Sequence, residues 1–367
     1  MAAAAAPEVA EVPRFVRLLF VRHGQSENNI LMRKSHAAYS AGRIADPRLT
    51  ITGRRQANAA GRFFARMCEA GTGPSHVVVS PMVRALETAK PIAAACGAAG
   101  TAGRLLAWPE ACECGGVFGR DGAAPVGRVC HELTREEVEA ELPGVACHEG
   151  ITDKGWWRPG RKETDAERTI RCMAACRVMR SWADTGEIAL PTVDQFDKLS
   201  VDMEARLATL RRGQRDEDGA HDPDSAGRVD ADVGELDAKT PKALPKKGGE
   251  ENHPGPVATV AIVCHHDFID RSIALLTHGG DPPPSGALYA PEPTLHFCFN
   301  NASVSVVDLY PGGTTRVVRL NDVRHLDPVY TGRRGMLTGF WQDTVVSNPE
   351  DWDGDEEDEF ESPTAAP

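Results

Sequence analysis

The chain has no apolar run long enough to cross a membrane and no surplus of basic residues. Its longest β-branched apolar run, at residues 257–264, is far short of the roughly 18–20 residues that span a bilayer. Lys and Arg number 41 against 53 Asp and Glu, so the formal net charge is −12. Binders of duplex DNA and polybasic membrane binders both need positive charge. We therefore expect neither nucleic acid nor a membrane among the partners.

The sequence also lacks the motifs of a secreted, zinc-binding or nucleotide-binding protein. The alanine run at 2–6 is too short for a signal peptide and is followed by acidic residues. Ten cysteines are present, but pairs such as Cys112-X-Cys114 and Cys172-X3-Cys176 lack zinc-site spacing. Neither a Walker loop nor a dinucleotide glycine fingerprint occurs. We expect a reducing, cytoplasmic compartment, cysteines that act as buried apolar residues, and no metal or cofactor.

What the sequence does contain is an alternation of strand and helix patterns. Three short apolar runs predict buried strands, at 15–21, 76–79 and 257–264. A helix pattern follows each of them, at 52–67, 81–96 and 268–278. Further helices are predicted near 135–141, at 163–182 and at 193–212, and further strands at 302–309 and 315–320. Strands that are apolar throughout are typical of parallel sheets covered on both faces. The predicted fold class is α/β, a three-layer α/β/α sandwich with a mainly parallel central sheet.

Composition divides the chain into one body that folds and three segments that we expect to be disordered. The body covers 14–212 and 257–345 as a single domain, with a cap insertion at roughly 98–160. The other segments are a flexible arm at 1–13, an insertion at 213–256 with eleven acids against six bases, and an acidic tail at 346–367. Their low apolar content cannot offset the entropy cost of ordering them. Because the insertion and the tail hold the excess of acid, the body is near neutral.

Residues suited to phosphate chemistry follow each of the three apolar strands. Arg22 and His23 end the first strand, and Arg84 lies in the first turn of the helix after the second. His265 follows the third strand. Ligands of open α/β sheets bind at the carboxyl ends of the strands, so we expect these side chains to meet. Arginine binds phosphate oxygens bidentately, and helix N-termini add N–H donors. The pattern predicts a cationic pocket for a phosphoryl group.

Several motifs resemble those of the histidine phosphatase superfamily, which has the phosphoglycerate-mutase-like fold. Arg22-His23-Gly24 resembles its nucleophile motif, and Asn29 falls where that family has an asparagine that contacts phosphate. Other segments resemble family motifs at 46–57, 80–85 (S-P-x-x-R-A), 163–165, 263–265 (V-x-H) and 320–326. The resemblance covers most of the chain outside the insertion and the tails, and together these motifs are highly specific.

The resemblance implies a phosphatase in which His23 attacks phosphorus and forms a phosphohistidine that water then cleaves. Arg22, Arg84 and His265 are then expected to bind the phosphoryl group and to keep His23 neutral. The glycine at position 24 is expected to let the ligand approach the backbone. The expected substrate is a small phosphorylated metabolite or a phosphoprotein, and no metal takes part. Further substrate contacts are expected from Gly24, Ser26, Asn29, Glu110 and His266.

The proton donor to the leaving group has two candidates within residues 108–119. Glu113 fits the family pattern of an acid shortly before a glycine pair better than Glu110 does, although its spacing to Gly115 is shorter than usual. We therefore predict that Glu113 is the catalytic acid. His266 stands where the family usually has glycine. Only a backbone N–H is needed there, so a side chain is tolerated if it points away from the phosphate.

Two other functions fit part of this pattern. One is a phosphoglycerate mutase, which is disfavoured because residues 27–34 lack the aromatic- and asparagine-rich continuation of the nucleophile motif. The other is a catalytically weak relative that binds phosphorylated ligands or that binds partners through its acidic tail. The intact His23, His265 and both arginines argue against this second alternative. The choice between Glu110 and Glu113 keeps it open.

Overall fold

The computed structural model describes residues 14–98, 104–118, 132–218, 255–281 and 297–327, without the side chains of 211–218. Its strands are β1 (Val16–Arg22), β2 (His76–Val79), β3 (Leu105–Ala107), β4 (Ala146–Cys147), β5 (Ala258–Cys264), β6 (Val304–Leu309) and β7 (Thr315–Asp322). They form one sheet in the order β4-β3-β2-β5-β1-β6-β7. The five strands from β4 to β1 are parallel, and β6 is antiparallel to both β1 and β7.

The helices lie between the strands along the chain and cover the sheet. They are α1 (Glu27–Lys34), α2 (His36–Gly42), α3 (Ile51–Glu69), α4 (Val83–Ala95), α5 (Arg135–Glu141), α6 (Asp165–Thr185), α7 (Val193–Asp218) and α8 (His266–Thr277). Local side chains fix where several of them begin. The Thr50 hydroxyl accepts a hydrogen bond from the Gly53 N–H at the start of α3, and the Thr164 hydroxyl accepts one from the Glu167 N–H at the start of α6. Each such cap satisfies a backbone donor that the helix itself leaves free.

Apolar side chains on the two faces of the sheet build two separate cores. Leu18 and Phe20 of β1 belong to one core with residues of α6, α7 and α8. Leu19 and Val21 belong to the other, with residues of α3 and α4. Burying each such side chain contributes about 1.5–3 kcal/mol. Because β1 and β5 are buried on both faces, their sequences are mostly apolar. The charge of Arg17 within β1 is paired with Asp308 of β6 at 2.7 Å. The predicted three-layer α/β/α fold with a mainly parallel sheet is confirmed.

The structure corrects the predicted boundaries in two places. The segment 98–160, predicted as a cap insertion, contributes β3 and β4 to the central sheet. These strands are too short to show in an apolar pattern. Helix α7 continues past its predicted end at Arg212 to Asp218, into the segment predicted as disordered. Helices α1 and α2 were not predicted, because neither buries a residue fully and so neither shows an apolar stripe.

The predicted arm at 1–13, the rest of the insertion at 219–254 and the tail at 346–367 lie outside the described residues. Within the described ranges, no helix has both the length and the apolar character needed to cross a membrane.

Candidate active site

The carboxyl ends of β1, β2 and β5 bring the predicted phosphate-binding residues together. Strand β5 lies between the other two, with Arg22 opposite Cys264 and Val79 opposite Val263. The residues that follow the strands therefore meet at one edge of the sheet. The ring centres of His23 and His265 are 5.1 Å apart.

His23 is held in one tautomer by its backbone neighbour. Its Nδ1 lies 2.7 Å from the Gly24 carbonyl oxygen, which only accepts, so Nδ1 carries the proton. The Arg84 Nε–H group donates to His23 Nε2 at 3.3 Å, which marks Nε2 as the unprotonated nitrogen. Burial lowers the pKa of His23 well below its ordinary value, and the charges of Arg84 and Arg22 lower it further. The ring is therefore neutral at neutral pH, and its in-plane electron pair lies on Nε2, where it accepts the hydrogen bond from Arg84.

Two buried arginines flank this histidine. Arg22 donates through Nη1 to the Phe299 carbonyl oxygen at 2.6 Å. Arg84 Nη1 lies 3.4 Å from a carboxylate oxygen of Asp46, which also accepts from the Val83 N–H. Burial raises the pKa of Asp46 to about 6, although the charge of Arg84 opposes this rise. Each guanidinium group is thus anchored by a hydrogen bond or ion pair, and both arginines line the pocket.

His265 lies beside His23, directly before α8. Its Nε2 is 2.8 Å from the Ser80 hydroxyl, which follows β2. Its Nδ1 is buried and has no hydrogen-bond partner in the part of the chain that the structure describes. Burial lowers the pKa of His265 well below its ordinary value, and the nearby Arg84 adds to this effect. The second histidine is therefore also neutral at neutral pH.

Glu113 is the acid that the fold brings to the histidines. Its carboxylate oxygen and one ring nitrogen each of His23 and His265 all lie within 4.8 Å of one another. Burial raises the pKa of Glu113 to about 7, and the negative charge of Asp267 contributes, against the opposing charge of Arg84. A substantial fraction of this carboxyl is therefore protonated at neutral pH, as a proton donor requires.

Glu110 lies elsewhere, and the structure does not support it as a substrate contact. It belongs to the short 3-10 turn Pro109–Ala111, and its carboxylate is buried 3.7 Å from an Arg158 nitrogen. It is absent from the described lining of the pocket that contains His23. Burial raises the pKa of Glu110, although His148 and Arg158 oppose this rise. The two acids thus occupy different environments, and only Glu113 reaches the histidines.

A buried ion pair holds the loop that carries Glu113. Arg171 of α6 pairs with Glu163 through two hydrogen bonds of 2.8 and 2.9 Å. Glu163 in turn accepts from the Gly115 N–H at 3.1 Å, and Arg171 donates to the Glu110 carbonyl oxygen at 2.7 Å. The sequence had indicated Glu163 only as part of a motif, and Arg171 not at all. An arginine two turns into a helix carries no signal until its partner is known.

Ser26 and Asn29 lie together at the start of α1 and line the pocket. Asn29 Oδ1 accepts hydrogen bonds from the Ser26 N–H and hydroxyl at 2.9 Å each, and from Asn301 Nδ2 at 3.3 Å. Since its oxygen is occupied, the amide nitrogen of Asn29 is the group suited to an anionic ligand. The structure therefore places both residues where the sequence predicts them.

Gly24 has a packing role that the sequence did not indicate. It is absent from the described pocket lining, and its N–H donates to the Thr88 hydroxyl at 3.0 Å. A Cβ atom added to Gly24 would lie 2.5 Å from the Gly53 carbonyl oxygen. Glycine is therefore required because the backbone of the nucleophile motif packs against the first turn of α3. The approach of a ligand to the backbone at Gly24 stays a prediction.

His266, one of the substrate contacts expected from the sequence, has its side chain in the lining of the pocket. Its Nδ1 lies 3.0 Å from an Asp267 carboxylate oxygen, and its ring packs edge-on against Phe299 with centres 5.7 Å apart. Burial alone would lower the pKa of His266, but hydrogen bonds to Asp267 and Cys298 outweigh it and raise the pKa to about 9. His266 is therefore a cation at neutral pH, paired with the Asp267 carboxylate, which lines the same pocket.

These side chains form the base of a pocket of about 460 Å³. Its outer part is lined by residues that the sequence had not indicated, namely Met32, His36, Tyr39, Arg43, Phe118, Lys162 and Arg168. Gly116 lies in the lining with φ of 69°, and a Cβ atom there would overlap the ring of Trp157. Trp157 thus anchors the loop and is absent from the described lining. The volume suits a small ligand.

Two imidazole nitrogens and a carboxylate within 4.8 Å are also a donor set that zinc accepts. The surroundings fit such an ion poorly. Arg84 already donates to His23 Nε2, and Arg22 and Arg84 would repel a divalent cation. The same charges attract an anion, so the arrangement suits a phosphoryl group better than a metal.

Comparison with known proteins agrees with the motifs. The sequence model of the histidine phosphatase superfamily (branch 1) matches residues 18–107. This match confirms the resemblance inferred from the sequence, and it contains Arg22, His23 and Arg84. Glu113 and His265 lie beyond it. No curated protein sequence matches the chain.

Among solved structures, the chain is similar to three phosphatases at low sequence identity. A mycobacterial glucosyl-3-phosphoglycerate phosphatase is 16% identical over 83% of this chain and 98% of that one, with a TM-score of 0.35. The ecdysone phosphate phosphatase of Bombix mori is 16% identical over 82% and 91%, with a TM-score of 0.36. A phosphoserine phosphatase of Entamoeba histolytica is 16% identical over 85% and 99%, with a TM-score of 0.32.

Proposed function

We propose that this protein is a metal-independent phosphomonoester hydrolase that works through a phosphohistidine on His23. The observation that carries the proposal is the meeting of three groups within 4.8 Å, a neutral nucleophile, a protonated acid and a second neutral histidine. Arg22, Arg84 and the cationic His266 line the same pocket. Nucleophile, proton donor and anion-binding groups are what phosphoryl transfer to a histidine requires.

In the first step, the phosphoryl group binds against the two arginines, with Asn29 and Ser26 at its side. The Nε2 electron pair of His23 forms a bond to phosphorus while the bond from phosphorus to the ester oxygen breaks. Glu113 gives its proton to that oxygen, so the product leaves as a neutral alcohol. The arginines and His265 stabilise the charge that develops on the equatorial oxygens.

In the second step, water attacks the phosphohistidine. Glu113, now ionised, takes a proton from the water as its oxygen bonds to phosphorus, and the bond to His23 Nε2 breaks. Inorganic phosphate leaves, and both groups return to their first protonation states. The single carboxyl thus acts first as acid and then as base, which fits a pKa of about 7.

The test is turnover of an aryl phosphate by the intact chain in the presence of a strong chelator, together with chemical trapping of the enzyme. We expect undiminished turnover, and a phosphorylated protein that is stable in base and labile in acid after a rapid quench. His23→Ala should abolish both, with Lys154→Gln, an exposed residue outside the pocket, as the control. Loss of activity in chelator would overturn metal independence. Turnover without a trappable, His23-dependent intermediate would overturn the covalent mechanism.

A further inference from the structure

The outer part of the pocket holds a cluster of cations that phosphoryl transfer at His23 does not use. We call Arg43, Lys162 and Phe118 the rim cluster. The Arg43 guanidinium carbon lies 3.5 Å from the centre of the Phe118 ring, and Lys162 Nζ lies 5.3 Å from it. Arg43 also donates to the Phe118 carbonyl oxygen. Arg43 follows α2, Lys162 precedes α6, and Phe118 follows the Gly115–Gly116 turn. The three residues are far apart in the sequence, so the tertiary fold brings them together.

Within the described part of the chain, neither cation of the rim cluster forms an ion pair with an acid. Arg43 Nε donates to the Tyr39 hydroxyl at 2.9 Å, and no carboxylate of the described residues pairs with it. Lys162 Nζ likewise has no acidic partner among them. Arg168, another cation of the lining, differs because Asp165 lies 3.3 Å from it. Arg43 is half-buried and Lys162 is exposed. Two neighbouring cations repel each other, and an anionic ligand between them removes that cost.

The charge of the rim cluster is additional to what one phosphoryl group needs. At the base of the pocket, Arg22, Arg84 and His266 already supply cations for the phosphoryl dianion of the proposed substrate. The rim is close enough to this base that Arg43, together with the larger effect of burial, lowers the pKa of Arg84. A single small molecule could therefore contact both ends of the 460 Å³ pocket.

Building on the phosphatase function proposed above, we propose that the rim cluster binds a second anionic group of the substrate. The substrate is then a small phosphomonoester that also carries a carboxylate or a second phosphate. Arg43 offers a planar fork for either group, and Lys162 offers a mobile point charge beside it. The ring of Phe118 keeps the two cations at the pocket mouth when no ligand is bound.

The test measures binding and so does not depend on turnover. Calorimetry with His23→Ala, or with His23→Asn if the first variant does not fold, compares carboxypropyl phosphate with hydroxybutyl phosphate of matched length. We expect the carboxylate compound to bind about tenfold more tightly. Arg43→Gln and Lys162→Gln should each bring this ratio down severalfold. Lys154→Gln, which is exposed and outside the pocket lining, should leave it unchanged.

Equal affinities for the two compounds would overturn the proposal that the substrate carries a second anionic group. A ratio that survives both rim substitutions would overturn the rim cluster as its binding site. Butanediol bisphosphate is the third probe: tighter binding than carboxypropyl phosphate identifies a second phosphate, and weaker binding identifies a carboxylate. Failure of the phosphatase proposal would appear separately, as absence of turnover by the chain with His23 intact.

Discussion

Replacing Glu113 by glutamine keeps the shape of the side chain and removes the proton that the leaving alcohol needs. A positioned general acid contributes about 10²–10⁴-fold to the rate, which corresponds to about 2.7–5.4 kcal/mol of the barrier. We expect kcat/KM for an alkyl phosphate to fall by that factor. An aryl phosphate such as p-nitrophenyl phosphate has a stable leaving anion, so its kcat/KM should fall by less than about tenfold.

The pH profile gives an independent check with a definite sign. Because burial raises the pKa of Glu113 to about 7, the active protonated form predominates below that pH. By that value, about nine-tenths is protonated at pH 6 and about one-tenth at pH 8. Hydrolysis of the alkyl phosphate should therefore decline as pH rises through 7. This decline should be absent in Glu113→Gln. The pKa of His23 is lowered well below 6.5, so the loss of activity on the acidic side of the pH profile should also lie well below 6.5.

Glu110→Gln is the matched control, because the same substitution is made three positions away in a buried carboxyl that does not reach the pocket. We expect its ratio of alkyl to aryl rates to equal that of the unmodified chain. Thermal unfolding of both variants separates loss of catalysis from loss of fold. Equal losses on the two substrates in Glu113→Gln, or a selective loss in Glu110→Gln, would refute the assignment of the acid.

Three further substitutions test how the site is built. Gly24→Ala should lower the free energy of unfolding by about 1–3 kcal/mol, since its Cβ would meet a backbone oxygen at 2.5 Å; Gly255→Ala, which has open space, is the control, and equal denaturation midpoints would contradict the packing argument. Arg171→Met leaves the Glu163 carboxylate buried without its cationic partner. We therefore expect the free energy of unfolding, measured in urea, to fall by about 3–5 kcal/mol and kcat to fall as well. A small change in both quantities would show that the ion pair does not hold the loop. His266→Asn should weaken inhibition by inorganic phosphate severalfold at pH 7, and this difference should vanish above the pKa of about 9; a difference that persists at higher pH would exclude a charge effect.

Much of the inner site follows from local sequence. A strand apolar on both faces, a change to polar residues at its end and a helix start can each be read from a few neighbouring residues. This pattern recurs at His23, Arg84 and His265, so their meeting at one sheet edge was predictable. The short strands β3 and β4 were not, because two or three residues show no periodicity.

The choice between Glu110 and Glu113 belongs to the tertiary structure. Both acids lie in one short segment of similar composition, and the sequence only ranks them. The ion pair between Glu163 and Arg171 holds that segment through backbone groups, and so decides which carboxyl meets the histidines. The same holds for the required glycine at position 24, whose neighbour is a distant backbone oxygen.

The sequence by itself thus determined the fold class and the meeting of His23, His265 and the arginines at the ends of the strands. Only the tertiary structure decided which acid faces them, that the His266 side chain enters the pocket, and that Arg43 and Lys162 meet at its mouth. The physical reason is the distance along the chain between the residues that make each kind of contact. Strand and helix patterns arise from contacts between near neighbours, whereas burial, which raises the pKa of Glu113, depends on segments far apart in the chain.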